Sequence, residues 1–309
     1  MKTNILPKLS IAAIAAITLV GNSASSAVLV YEGFQYGTAA DLTRTDNDSL
    51  QGQADGSGGD IDATNLGGTW NDVQNSTTGE LYLANGSLAF GDLPSLGNHV
   101  RSDTNANSDI FTRSITTSLS GSSELWFSFV ANKLQNNFSA AEGGLVIGNQ
   151  VVNNSRVLSD NGTSGLSGFG IAPTTAGDNW TAYAWNGSGQ TVGDAVLGVA
   201  TNGTETNLLV GKISYNTGAG GTDEYAIYQY VLNAGSVTGG SLNQIGSTIE
   251  IDVTEGDLDT LSLTRQVNTA YDEIRIGESL DDVIGVVPEP STTALLGLGG
   301  LALILRRRK

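Results

Sequence analysis

Residues 124–132 read ELWFSFVAN. Successive side chains of an extended chain point to opposite sides. Leu125, Phe127, Phe129 and Ala131 therefore share one face, and Trp126, Ser128 and Val130 share the other. The same period of two recurs at WTAYAW (180–185), LLVGKISY (208–215), EYAIYQYVLN (224–233), TLSLTRQ (260–266) and DEIRIG (272–277). Loops such as DGSGGDID (55–62) and TGAGGTD (217–223) separate such runs. In ELYLANGSLAF (80–90), Asn85-Gly86 predicts a two-residue type I′ turn that pairs Leu83 with Leu88 and Leu81 with Phe90. Convincing amphipathic helices are few, and no interior linker or internal repeat stands out. Ten or more strands in about 260 residues predict an all-β chain whose body, 28–287, folds as a single β-sandwich.

Composition agrees with that class. Of 309 residues, 41 are glycine and only 15% are charged, which suits many short strands joined by turns. Hydrophobic residues make up 39%, enough for a substantial core. The net charge is −17, unevenly distributed. Residues 28–287 hold eight basic and 30 acidic residues, a net charge of −22. Nucleic acid and anionic membrane surfaces would repel such a body. Cysteine is absent, which excludes a disulfide framework, a thiol nucleophile and cysteine metal sites.

Both ends read as addresses. Lys2 and Lys8 precede the mostly apolar stretch Leu9 to Val20, and Ser25-Ser26-Ala27 places small residues before a cut. This pattern predicts a secretory signal peptide over 1–27, cleaved after Ala27. At the other end, Pro288-Glu289-Pro290 precedes an apolar stretch, 291–305, and then Arg306, Arg307, Arg308 and Lys309. Fifteen helical residues span about 22 Å, short of a hydrocarbon core of about 30 Å. The basic cluster predicts a stop on the cytoplasmic side. The two prolines hold the preceding stretch extended.

This three-part tail resembles the PEP-CTERM sorting signal of exopolysaccharide-producing Gram-negative bacteria. The resemblance implies an exosortase as partner, a membrane-embedded cysteine protease or transpeptidase that cuts near Pro288-Glu289-Pro290. It implies a transient inner-membrane intermediate held by a short transmembrane helix, and then release or attachment at the cell surface or in the extracellular matrix. The body resembles those of PEP-CTERM surface proteins in three places. These are Val30-Tyr31-Glu32-Gly33-Phe34-Gln35-Tyr36-Gly37, Arg113 followed by Leu125-Trp126-Phe127-Ser128-Phe129, and Asp272-Glu273-Ile274-Arg275-Ile276-Gly277. Such bodies are assigned to the concanavalin A-like, laminin-G-like jelly roll, a fold shared by lectins, glycosidases and adhesive modules.

Few side chains announce chemistry. Glu250-Ile251-Asp252-Val253-Thr254-Glu255 resembles the catalytic strand of laminarinase-type retaining glycosidases. That resemblance implies Glu250 as nucleophile, Asp252 as its helper and Glu255 as acid/base, with two carboxylates about 5–5.5 Å apart. A bulge would bring Glu255 onto the face that carries Glu250 and Asp252. Against it, only about 32 residues follow before the tail, and the last tryptophan is Trp185. The single histidine, His99, lies in the loop-like LGNHVRSD without a G-x-S-x-G elbow. Hard oxygen donors suited to a structural Ca²⁺ cluster near Asp55, Asp60 and Asp62, and again in RTDNDS (44–49) and EGDLD (255–259). Tyr183 and Trp185 share one strand face, with Trp180 on the other; sandwich packing explains them better than sugar stacking. The leading expectation is a non-enzymatic surface or matrix protein associated with exopolysaccharide and using no cofactor. A lectin-like carbohydrate-binding module is the alternative, and a glycosidase the lesser one.

Overall fold

The computed structural model describes residues 28–36, 49–53, 64–73, 81–95, 97–102, 109–133, 144–149, 165–173, 180–188, 190–192, 205–265 and 269–285. All of them belong to one compact unit, Ala27–Val287. In chain order the strands are β1 (Val30–Glu32), β2 (Leu66–Asp72), β3 (Leu81–Ala84), β4 (His99–Ser102), β5 (Asp109–Ile115), β6 (Glu124–Lys133), β7 (Gly144–Gly148) and β8 (Ser167–Pro173). There follow β9 (Trp180–Asn186), β10 (Gln190–Val192), β11 (Thr206–Ser214), β12 (Asp223–Asn233), β13 (Ser236–Ile251), β14 (Thr260–Arg265) and β15 (Thr269–Gly277). A 3₁₀ turn at Glu255–Asp257 and a short helix α1 (Leu280–Val283) are the helical elements among the described residues.

The strands form two antiparallel sheets. One runs β13-β12-β11-β6-β15-β4-β3, with β1 also paired to β15; the other runs β10-β9-β8-β7-β14-β5-β2. Successive strands β5, β6 and β7 alternate between the sheets, as do β13, β14 and β15. The result is a jelly-roll β-sandwich, and its two late strands, β14 and β15, lie in the interior of their sheets.

Alternation explains the layers. Leu125, Phe127, Phe129 and Ala131 enter the core between the sheets, where they meet Leu145, Ile147, Phe169, Ile171, Leu261 and Leu263. Trp126 and Val130 face outward and join a second cluster with Phe90, Leu93, Leu208, Val210, Tyr230 and Val283. The segment 85–95 and α1 thus cover the outer face of the first sheet. Ser128 sits between Trp126 and Val130, and its hydroxyl donates to the Val283 carbonyl at 2.5 Å, holding α1 down. Ser279 and Asp282 cap α1 reciprocally.

The hairpin expected at Asn85-Gly86 does not form. Leu81 and Leu83 pair with Ser102 and Val100 on β4, and residues 87–90 leave the sheet. A type I′ turn needs positive φ at both central residues; Gly86 has φ +81, but Asn85 is not among the residues with positive φ. The buried Asp272 carboxylate captures Ser87 Oγ at 2.5 Å and Leu88 N at 2.7 Å, and Leu88 and Phe90 bury their side chains on the sheet instead. Tertiary contacts override the local turn signal. The two-residue turn that does form joins β12 to β13 at Ala234-Gly235, with φ +50 and +88. His99, expected in a loop, opens β4.

Gly211 on β11 faces Phe127 on β6. A Cβ there would run into the Phe127 ring, which is fully buried and cannot retreat. Gly211→Ala is expected to destabilise the body by about 1–3 kcal/mol through overpacking. Urea unfolding followed by tryptophan fluorescence checks it, and an unchanged midpoint would refute the packing described.

Candidate functional site

The resemblance motifs of the body supply two buried networks. Glu32, at the end of β1, is fully buried. Its Oε1 accepts from Phe34 N at 2.8 Å. Its Oε2 accepts from Tyr36 OH at 2.5 Å, Trp70 Nε1 at 3.2 Å and Arg113 Nη1 at 2.7 Å. Arg113 and Trp70 belong to β5 and β2, in the opposite sheet, so the ion pair crosses the core. Tyr36 OH also accepts from Trp70 Nε1 at 2.9 Å and from Arg113 Nη1 at 2.6 Å. Burial, and then the Glu32 charge, hold the Tyr36 hydroxyl well above its ordinary pKa, so it stays a donor.

A second network lies on β15. Glu273 occupies a bulge with φ +52, where the register against β6 shifts between Asp272 and Arg275. Its Oε2 accepts from Arg275 Nη2 at 2.7 Å and from Tyr31 OH at 3.0 Å. Arg275 Nη2 also donates to the Pro94 carbonyl at 2.6 Å, and its guanidinium lies 5.5 Å from the centre of the Tyr31 ring. The charged groups of both networks are buried and answered from within the protein. Their chemistry is structural.

The acidic stretch sits elsewhere. Glu250 is exposed near the end of β13, an edge strand, directly across from Glu224 on β12. Its Oε2 accepts from Ala219 N at 3.3 Å. The strand ends at Ile251, so Asp252 follows it as an exposed residue and Glu255 enters the 3₁₀ turn. Ile249, Ile251 and Val253 fill the core beneath. Trp180 belongs to the core between the sheets and meets Phe129 edge-on at 6.1 Å. Tyr183 and Trp185 stack 6.0 Å apart on the other side of β9, both buried with Val146 and Ile110. Burial pushes the Tyr183 hydroxyl up to about 12. His99 donates from Nδ1 to the Gly86 carbonyl at 2.6 Å, and burial lowers its pKa.

Among the described residues no group of three His, Asp or Glu side chains could hold a metal ion. Asp55, Asp60 and Asp62 lie outside the described residues, as do residues 1–27 and 288–309. No described helix is long and apolar enough to cross a membrane. The strand patterns did not announce a polar pocket beside β2, lined by Gly67, Gly68, Thr69, Asn71, Thr112, Arg113, Ser114 and Thr260. Its only sequence signal is the Gly67-Gly68 pair before Thr69-Trp70.

Comparison with known proteins resolves the tail. Residues 286–309 match the family described as the PEP-CTERM protein-sorting motif. The chain ends in a PEP-CTERM sorting motif. That motif indicates an exported protein, sorted through the membrane to the cell surface and processed by an exosortase. No curated protein matches the chain in sequence. Among solved structures, the T. cruzi calreticulin globular domain is similar at 11% identity and a TM-score of 0.47, covering 78% of this chain and 95% of that one. The VIP36 exoplasmic/lumenal domain, in its Ca²⁺/Man-bound form, is similar at 9% identity and 0.40, with 65% and 83% covered. Alginate lyase vAL-1 from Chlorella virus is similar at 10% identity and 0.38, with 64% and 93% covered. These likenesses concern strand arrangement and carry nothing about chemistry.

Two predictions follow from the networks. Arg113→Met leaves the Glu32 carboxylate buried without its cation, and is expected to cost about 3–5 kcal/mol. Glu32→Gln combined with Arg113→Met should cost less than the two single changes together, as a double-mutant cycle by urea unfolding would show. The second concerns pH. Burial, more than the nearby Glu273 charge, pushes the Asp272 carboxyl up to about 8, while hydrogen bonds from Ser87 and Leu88 pull it down. Unfolded aspartate titrates near ~3.9. Between those values the folded chain holds a proton that the unfolded chain releases, so this group's contribution to stability falls as pH rises from about 4 to about 8. Asp272→Asn should gain on the wild type across that range in urea midpoints; parallel curves would refute the assignment.

Proposed function

We propose that this chain is an exported, exosortase-processed surface or matrix protein, non-enzymatic and associated with exopolysaccharide. The observation that carries the reading is the sorting motif at 286–309. In this account residues 1–27 direct export and are removed after Ala27. The body is 28–287. Arg306 to Lys309 stop translocation, the apolar stretch 291–305 holds the intermediate in the inner membrane, and the exosortase reads Pro288-Glu289-Pro290 at its outer side. The body's charge of −22 keeps the released domain soluble and apart from anionic surfaces. The exposed, edge-strand setting of Glu250 supports a binding or structural role over glycoside hydrolysis, which wants its carboxylates in a cleft.

Mass spectrometry of the mature protein from its host tests the processing. The wild type should lack Arg306 to Lys309, whereas Glu289→Ala or loss of the exosortase should retain them. A mature wild-type protein that keeps its basic terminus would overturn the sorting account. Co-sedimentation of the secreted protein with the host's polysaccharide tests the association.

A further inference from the structure

The pocket beside β2 has a definite cause. β2 pairs Gly67 with Ser114 and Asn71 with Thr112, so it spends four steps where β5 spends two. The extra length lets Trp70 turn fully inward and bring its indole N–H to Glu32 and Tyr36. Gly68, at φ +67, makes the arch that side chains rarely adopt. Gly68 and Thr69 are thereby exposed, away from β5, and a pocket of about 230 Å³ opens with Thr112, Ser114 and the β14 residue Thr260 on its lining.

Its chemistry is uniform. Thr69, Asn71, Thr112 and Ser114 contribute three hydroxyls and an amide, and none of these four side chains has a hydrogen-bond partner among the described residues. On the next strand the Ser262 hydroxyl, 1% exposed and paired in register with Thr112, also lacks a partner. Ser262 lies beneath the lining, whereas Thr69, Asn71 and Ser114 are exposed and turn their polar atoms to the pocket. No carboxylate or lysine lines the pocket, and the Arg113 guanidinium is turned inward onto Glu32. A ligand here meets groups that both donate and accept, at close spacing, without net charge.

We infer that this pocket binds one neutral sugar ring, as a unit of a neutral glycan. A polyhydroxylated ring answers hydroxyl and amide groups in kind, and the pocket's size admits one ring. A uronate or sulfated sugar would meet no cation in the pocket and would approach a body of charge −22. With no aromatic ring in the lining, a single site is weak, and a repeating polymer gains affinity by offering many copies. The inference rests on the proposed association with exopolysaccharide and names where the contact is made.

The test uses the full chain in detergent micelles, observed by amide NMR. Glucose, galactose, mannose and N-acetylglucosamine are titrated separately, with glucuronate as the charged control. At least one neutral sugar should shift the amides of Gly68, Thr69, Asn71, Thr112 and Ser114, and glucuronate should not. Ser114 is exposed, so Ser114→Phe should keep the fold while filling the pocket, weakening binding at least about tenfold, the effect of losing about 1.4 kcal/mol. Asn71→Ala, which adds no bulk, should weaken it several-fold with an unchanged melting temperature. The inference fails if no neutral sugar shifts these amides, if Ser114→Phe leaves binding intact, or if glucuronate binds equally. It also fails if wild type and Ser114→Phe co-sediment equally with the host's polysaccharide, an outcome that leaves the association itself standing. If neutral sugar fills the pocket but wild type does not co-sediment, the association falls and the pocket stands.

Discussion

The buried pair of Glu32 and Arg113 is the constraint around which the rest is arranged. It joins β1 in one sheet to β5 in the other across an otherwise apolar core. A charge in that setting is tolerated only if every lone pair is answered, and here Phe34, Tyr36, Trp70 and Arg113 answer the Glu32 carboxylate. The demand propagates. Phe34 accepts a left-handed backbone, φ +51, to aim its N–H. Trp70 reaches inward at the cost of two residues of register in β2. Replacement of the whole cluster by apolar side chains could match its stability; what the ions add is that only one register of β1 against β15 satisfies them.

β15 carries the complementary constraint. Along one edge it pairs with β6 for most of its length, and along the other it divides between β4 and β1. The bulge at Glu273 sits at that division. It lets Ile274 and Ile276 stay in the core while Glu273 and Arg275 meet Tyr31 and the Pro94 carbonyl. The outward Asp272, one residue earlier, anchors the segment over the first sheet. Asp272, Glu273 and Arg275 therefore all find polar partners within a buried strand, and the DEIRIG sequence makes sense only once all three are seen.

What the sequence disclosed follows from what is local. The alternation in 124–132 assigns each side chain to its face because period two is a property of neighbours, and each of the other strands read from that pattern is present. The tail was legible for a similar reason: motif, apolar stretch and basic cluster are contiguous, and no fold is needed to bring them together. The Asn85-Gly86 hairpin failed because Asp272, 185 and 184 positions away, offers the Ser87 hydroxyl and the Leu88 N–H a better partner than a turn can. The Glu32 network was visible as motifs but not as a network, since Glu32, Trp70 and Arg113 are separated by 38 and 81 positions. The β2 pocket was least legible, because it arises from a mismatch of strand lengths that no single strand displays.

The topology also bears on how such a chain leaves the cell. β14 lies between β5 and β7, and β15 lies between β6 and the β4–β1 edge. The second sheet cannot close until Arg265 has emerged, nor the first until Gly277, because the earlier strands lack their central partners until then. Such non-local pairing is slow to form, and the body has no disulfide to guide it. Only ten residues, 278–287, then separate the end of β15 from Pro288. Under the proposed route, a tail that pauses in the membrane gives the last two strands time to insert before the chain is cut. On that proposed route, the short apolar stretch suits a pause better than a permanent anchor.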